Sequence, residues 1–309
     1  MPAMNSPKTP LILVVGATGA LGRPVVKLLR QRGVAVRTLN RHPEQATDLA
    51  ALGAEVVKGD LIDPGSLRRA CVGVTGVLAC AHGILGRGRW RSEAVDDAGH
   101  RSLIDAARDA RVGRFVYVSG HGVRADHPVD FFRTKHRIEQ VLASSGLEHA
   151  IVRPTAFMEH HVHNFVGKSL LEKGKVQLIG PATKPRNFIA ATDIAPFVVR
   201  ALLDEPLPFR TLTIGGHGHL SNLDVARAYA HAAGIELKVS HLPTPAARLI
   251  AALASPVHPG MARIMRMLGL PDDAFDEHYG GAAEFEATHG VRLKRTEEFI
   301  AEQVALAKS

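Results

Sequence analysis

Three glycines at three-residue spacing, Gly16, Gly19 and Gly22, follow five apolar residues, Leu11 to Val15, and precede apolar positions Val25, Val26, Leu28 and Leu29. The chemistry open to such a turn is holding a pyrophosphate. Free N–H groups at a helix N-terminus bind anionic oxygens, and side chains in the turn would keep the phosphates away. On this reading Gly16 permits the tight turn, Gly19 lets the backbone approach the phosphates, and Gly22 lets helix and strand pack closely. Ala17, Thr18, Ala20 and Leu21 complete the loop. A second signal is Asn40-Arg41, at the end of the next apolar run. An acidic residue there would hold a ribose 2′-hydroxyl, whereas a neutral one beside a guanidinium accepts a 2′-phosphate. NADP(H) is therefore expected over NAD(H), with Arg23 and Arg37 able to add positive potential. A third group, Glu159-His160-His161-Val162-His163, offers ligand-type side chains, with Glu159 and His163, or His160 and His163, on one helix face. It has neither the H-E-x-x-H spacing nor a cysteine partner, so it reads as pocket wall or surface helix and no metal site is expected.

The elements that must position these residues follow from periodicity. Leu11–Val15 is a strand buried on both faces, and 24–32 a helix packed on a sheet. Further strands are expected at 35–39, 55–58, 76–81, 115–118, 150–152 and 209–214, with helices at 92–111 and 131–144 and one opened by Asp63-Pro64. The long 92–111 helix carries an apolar face through Val95, Leu103, Ile104, Ala107 and Ala110. Alternation of strand and helix predicts an α/β fold with a doubly wound, mainly parallel Rossmann sheet and a smaller, interleaved C-terminal substrate domain. Residues 8–157, with 186–216 returning to them, form the nucleotide-binding domain, and 158–309 the small domain. The carboxyl ends of the strands line the crevice of such a sheet. That places Ala81, His82 and Gly83 after the fourth strand, and Ser119, Gly120 and His121 after the fifth. Residues 175–179 with the loop 181–185 suggest a hairpin arm. Thr192 or Asp193 can cap a helix reaching Leu203, and Ser221 one reaching Ala233. Residues 246–254 and 259–268 are amphipathic helices, the second with Arg263 and Arg266. It suits a core or pocket lid, or an anionic membrane surface. Residues 296–307 close the chain as a helix.

The chain has 309 residues, 46% of them apolar and 5% aromatic, enough for one large core or two unequal ones. Cys71 and Cys80 stand in apolar surroundings and suit reduced thiols of a cytoplasmic protein. The start of the chain has no apolar secretion signal, and no run is long enough to span a membrane. Net charge is +8, but Lys and Arg are scattered without a block of five, and no nucleic-acid motif is present. The 17 histidines make charge sharply pH-dependent below 6.5.

The stretch VVGATGALGRPVVKLL resembles the atypical NmrA-like branch of the short-chain dehydrogenase/reductase superfamily, with Ala17-Thr18 inside G-x-x-G-x-x-G. Similar sequences there include isoflavone-reductase-like enzymes, NAD(P)H quinone and dye reductases and cofactor-sensing regulators. VDDAGHRSLIDAARDARVGRFVYVSG and Arg153-Pro154-Thr155-Ala156-Phe157-Met158 extend the likeness over most of 11–215. The resemblance implies that Asp60 and Leu61 lie beside an adenine, although Asp60 can equally cap a turn. It also implies that Pro154, Thr155, Ala156 and Phe157 neighbour the nicotinamide. Superfamily enzymes use Tyr-x-x-x-Lys on a helix, the ammonium holding the ribose and lowering the phenol pKa. Here Lys135 is present, but Phe131 stands four residues earlier and cannot transfer a proton. Isoflavone-reductase-like relatives assign that role to the lysine. Lys135 is thus expected to donate a proton or hold the ribose, with Ser119 and His121 as candidates for polarising a substrate oxygen. The implied activity is NADPH-dependent hydride transfer to a small apolar or aromatic acceptor, quinone-like or enone-like. The alternative, which Phe131 favours, is a catalytically inactive NADP(H)-sensing regulator or assembly scaffold.

Overall fold

Side chains alternate between the two faces of a strand, and in β1 (Leu11–Val15) both faces are buried. Ile12 and Val14 enter one apolar core, Leu13 and Val15 the other. This is why the strand reads as an unbroken apolar run. The structure, a computed structural model, describes residues 10–268 and 278–308. After β1 come α1 (Gly22–Gln31), β2 (Ala35–Asn40), α2 (Thr47–Ala51), β3 (Glu55–Lys58), α3 (Pro64–Cys71) and β4 (Gly76–Ala79). The expected helix over 92–111 begins as a wide-turned π-helix, Glu93–Gly99, before α4 (His100–Asp109), and Ala110 lies outside it, exposed. Then follow β5 (Arg114–Val118), α5 (Asp130–Ala143), β6 (His149–Pro154) and β7 (Ala156–Phe157). A second π-helix, Glu159–Gly167, runs into α6 (Lys168–Lys173), followed by β8 (Val176–Ile179), β9 (Phe188–Ile189), α7 (Ala191–Leu203) and β10 (Thr211–Ile214). The chain ends with α8 (Asn222–Ala233), β11 (Val239–Leu242), α9 (Thr244–Ala254), α10 (Pro259–Leu268), α11 (Ala282–His289) and α12 (Thr296–Lys308).

Among the described residues, seven strands form one parallel sheet in the order β10-β6-β5-β4-β1-β2-β3. α1 and α7 cover one face; α3, α4 and α5 cover the other. The order reverses between β1 and β4, and ligands of open α/β sheets bind in the crevice at that point. A third apolar cluster joins Met158, just before the second π-helix, and Val162 and Val166 within it to Val225 and Tyr229 of α8 and to Phe299 and Ile300 of α12.

Two local expectations are corrected. Residues 176–179 do not fold back as a hairpin; β8 pairs in parallel with β11, Val176 standing opposite Val239. The helix from Ala191 is capped by neither Thr192 nor Asp193. Glu159 reaches across and accepts from the Ala191 N–H at 3.0 Å, while the Asp193 carboxylate accepts from the Lys294 backbone at 2.7 Å. Of the alternatives for α10, a surface role does not suit Arg263, which is 4% exposed and donates to Asp130 at 2.9 and 2.8 Å and to the Ile84 carbonyl at 3.1 Å. The Ser221 cap forms as expected, with Asp224 completing a capping box. No described helix is long and apolar enough to cross a membrane.

Candidate active site

Two cavities meet at the carboxyl ends of the sheet strands. The larger, about 740 Å³, lies over the turn between β1 and α1 and is lined by Gly16, Thr18, Gly19, Asn40, Arg41, Asp60, Leu61, Ala81, His82 and Gly83. The glycines make this shape possible. Gly16 has φ +101°, and a Cβ there would lie 2.6 Å from the Ala81 nitrogen. A Cβ on Gly22 would lie 2.2 Å from the Gly16 oxygen, whereas one on Gly19 meets only that oxygen, at 3.2 Å. The remaining loop residues do not line the cleft. Ala17 and Leu21 are buried in the core and Ala20 packs against it.

Asn40 is buried, its amide donating to Thr38 Oγ1 at 2.7 Å. Arg41 lies over the Trp90 ring, 5.7 Å from its centre. The Trp90 indole N–H donates to Asp60 at 2.7 Å, and Asp60 also accepts from the Ile62 N–H, so it caps the turn and lines the cleft. Arg23 lines the cleft while paired with Asp48. Arg37 does not reach it; it is held by Glu55 and by the carbonyls of Ala70 and Val72. Asp96, which sequence reasoning passed over, is 2% exposed and accepts from Gly83 N at 2.7 Å, fixing the backbone after His82. Its only sequence signal was a second acidic residue in a segment read as a plain amphipathic helix.

The smaller cavity, about 390 Å³, is lined by Lys135, Ser119, His121, Pro154, Thr155, Ala156 and Phe157. Lys135 is 8% exposed; its ammonium donates to the Val118 carbonyl at 2.9 Å and sits 5.1 Å from the ring centres of both Tyr117 and Phe131. Burial pushes its pKa down to about 8, and the charges of Asp96 and Glu139 oppose the fall. Two aromatic faces support the buried cation. The hydroxyl of Ser119 is buried with no hydrogen-bond partner among the described residues. A buried polar group without a partner calls for one, and at a cavity wall a ligand can supply it. His121 donates or accepts elsewhere: its Nε2 lies 3.2 Å from the His278 carbonyl, which makes it the donor of that bond. Thr155 donates to Asn187 at 2.8 Å.

The sequence profile of the NmrA-like family matches residues 8–293. The chain belongs to the NmrA-like family. Among curated proteins it is 30% identical over 79% of its length to High Chlorophyll Fluorescence Phenotype 244, a chloroplastic protein of Arabidopsis thaliana, of which it spans 62%. It is 28% identical to the photosystem II assembly factor Ycf39 of Guillardia theta (75% of this chain, 73% of that one). It is 31% identical to an NAD(P)H azoreductase of Xenophilus azovorans (72% and 74%). Among solved structures, triphenylmethane reductase of Citrobacter sp. superposes with a TM-score of 0.73 at 20% identity, covering 95% of this chain and 99% of that one. That likeness shows the same fold.

This NmrA-like chain closes the smaller cavity with residues from far along the sequence. Ile264 and Met267 of α10 form its roof, held down by the Arg263–Asp130 pair and by Gly260, where a Cβ would lie 2.3 Å from the Leu85 backbone. His160, His161 and Asn164 of the second π-helix form a side wall. The five-residue hydrogen-bonding period of that helix separates the residues expected to share a face. Glu159 caps α7, His163 lies 3.2 Å from the Tyr229 hydroxyl, and His161 accepts from Arg186 at 3.3 Å. No group of three metal-ligating side chains forms among the described residues.

Proposed function

We propose that this chain is an NADPH-dependent oxidoreductase that transfers hydride to a small apolar or aromatic acceptor, quinone-like or enone-like. The observation that carries the reading is the meeting of two unlike cavities at the switch point of the sheet. One is a long cleft over a glycine turn, and the other a largely apolar pocket with a buried ammonium and an unpartnered hydroxyl. The turn fits a pyrophosphate, because Gly19 leaves the backbone open where a side chain would stand and α1 begins beside it. Relatives support the class: one is an NAD(P)H azoreductase, and a structural neighbour of the same fold is a dye reductase complexed with NADP(H).

The glycine turn, Asn40, Arg41, Asp60 and Leu61 would hold the adenosine and phosphates, and Pro154 to Phe157 with Ser119 and Lys135 the other end. When bound, the reduced nicotinamide supplies the hydride. Ser119 offers a hydrogen bond to an acceptor or ribose oxygen. Lys135 places positive charge, at low dielectric, where an acceptor oxygen or nitrogen gains negative charge. Ile264, Met267 and Phe157 exclude water and select an apolar acceptor. On this reading residues 158–309, apart from the returning 186–216, serve the acceptor. NADPH oxidation with a panel of azo compounds, enones, quinones and dye cations tests it, and turnover with none of them removes it.

Preference for the 2′-phosphate rests on Arg41, which lies on the cleft with no ion-pair partner among the described residues. In a competition titration NADP⁺ is expected to displace NAD⁺. Arg41→Ala is expected to weaken NADP⁺ by about 10-fold or more, the worth of a charge-assisted hydrogen bond, and NAD⁺ far less. Equal affinities in the parent would remove the preference. The second reading, an NADP(H)-responsive scaffold, is favoured by Phe131 and by the likeness to a photosystem II assembly factor. Tight NADPH binding without oxidation by any acceptor is its signature.

A further inference from the structure

Hydride transfer to a neutral acceptor must be matched by a proton, and with Phe131 in place of a phenol the source of that proton is open. Four described residues line both cavities: Cys80, His82, Leu85 and His160. They mark the junction where donor and acceptor would meet. Leu85 has no proton to give, and burial pushes the Cys80 thiol up to about 12. Two imidazoles remain. His82, from the end of β4, and His160, from the second π-helix, face each other edge to face with ring centres 6.3 Å apart. His82 also meets the Phe131 ring at 6.1 Å, beside the place a phenol would fill. His160 lies along Phe157, with the Asn164 amide nitrogen 3.3 Å from its Nδ1. Lys135, by contrast, lines the acceptor cavity alone.

We infer that the His82–His160 pair delivers the proton that accompanies hydride to the acceptor, in the reductase reading given above. The atoms balance as follows for an enone. A hydride with its two electrons, from the reduced nicotinamide co-substrate, forms a C–H bond at the β-carbon. The C=C pair becomes the double bond from the α-carbon to the carbonyl carbon, and the C=O pair moves onto oxygen. That oxygen takes a proton from imidazolium nitrogen to give the enol, and the imidazole is reprotonated from solvent through the open cleft. An azo group takes hydride on one nitrogen and the proton on the other. A triarylmethyl dye cation takes hydride alone and becomes neutral without any proton.

That difference supplies the test. The charged and titratable groups facing the pair are Lys135 of α5, Asp96 of the first π-helix, His100 of α4 and His161. Burial and Lys135 hold His82 down to about 4, against Asp96, and burial lowers His160 as well. The imidazolium fraction therefore grows as pH falls, so enone turnover relative to dye turnover rises from pH 8 to pH 5 in the parent. In His160→Gln and His82→Asn the enone-to-dye ratio is expected to fall about 10²-fold, the usual worth of a general acid, and its pH dependence to flatten. A merely structural role would lower both acceptors together. A readout without turnover accompanies it: both imidazole signals in ¹H–¹⁵N spectra shift on adding NADP⁺, and again on adding an unreactive enone analogue. A ratio unchanged in both variants, or rings that answer to only one ligand, overturns the proposal while leaving the reductase intact. A parent that binds NADPH and reduces neither acceptor removes the reductase reading, and this proposal with it.

Discussion

Lys135→Ala is expected to lower kcat for NADPH oxidation by 10²-fold or more with enones and azo compounds, and far less with dye cations, on which no negative charge develops. Removing one preorganised donor aimed at developing charge costs about 10² to 10³ in rate. Lys135 is such a donor because its position is over-determined: the Val118 carbonyl holds the ammonium at 2.9 Å, and the faces of Tyr117 and Phe131 flank it at 5.1 Å. Lys135→Met keeps the stem and removes the charge, so an equal loss in both variants assigns the effect to the ammonium and not to a cavity. The pH profile gives a second check. Burial lowers this pKa from 10.5 to about 8, so the charged form is full below 8 and is lost as pH rises through it. Parent kcat with enones is therefore expected to decline as pH rises through about 8, a step that Lys135→Met lacks. A profile flat from pH 6 to 10, or parental kcat in Lys135→Met, would show that the ammonium is bystander to the chemistry.

The parts of this molecule that were legible in the sequence are those fixed by neighbours in the chain. β1, the glycine turn and α1 follow from one unbroken apolar run, one spacing and one periodicity, and the capping box at Ser221 lies within four residues. Lys135 was legible only through resemblance, since nothing in its helix distinguishes it from a solvated lysine. The smaller cavity was legible only in pieces, with 159–163 read as pocket wall or surface helix and 259–268 as core or pocket lid or membrane surface, and without what joins them. Its roof depends on Arg263 reaching Asp130, 133 positions away, and on a glycine at 260 that matters only because Leu85 passes beneath it. Arginines show the same limit. Arg41 and Arg37 are four residues apart and carry the same side chain, yet β2 ends at Asn40, so Arg41 lies beyond the strand on the cleft while Arg37, within it, is held by Glu55 and by the carbonyls of Ala70 and Val72. Glu159 was weighed as a metal ligand and turned out to cap a helix that starts 32 positions later. The histidines beside it were separated by a π-turn, which no 3.6-residue pattern announces.

Gly22→Ala and Gly19→Ala are expected to part the two duties of the glycine turn. At Gly22 the new Cβ would lie 2.2 Å from the Gly16 oxygen and 2.6 Å from the Ala17 Cα, both backbone atoms, so the turn itself must move. Gly16 cannot yield easily, because its φ of +101° and its contact with Ala81 already fix it between β1 and β4. Overpacking of this kind costs about 1–3 kcal/mol, visible as a lower Tm, and the displaced turn no longer presents its amides, so NADPH affinity falls at least about 10-fold. At Gly19 the Cβ meets one oxygen at 3.2 Å and otherwise points into the open cleft. Gly19→Ala is therefore expected to keep Tm close to the parent while still losing NADPH affinity, because the methyl occupies the space the phosphates need. Thermal melts and NADPH titrations of both variants decide the matter. A Gly19→Ala protein that binds NADPH as the parent does would mean that no phosphate approaches this turn. A Gly22→Ala protein with parental Tm would mean that strand and helix do not meet as closely as the geometry requires.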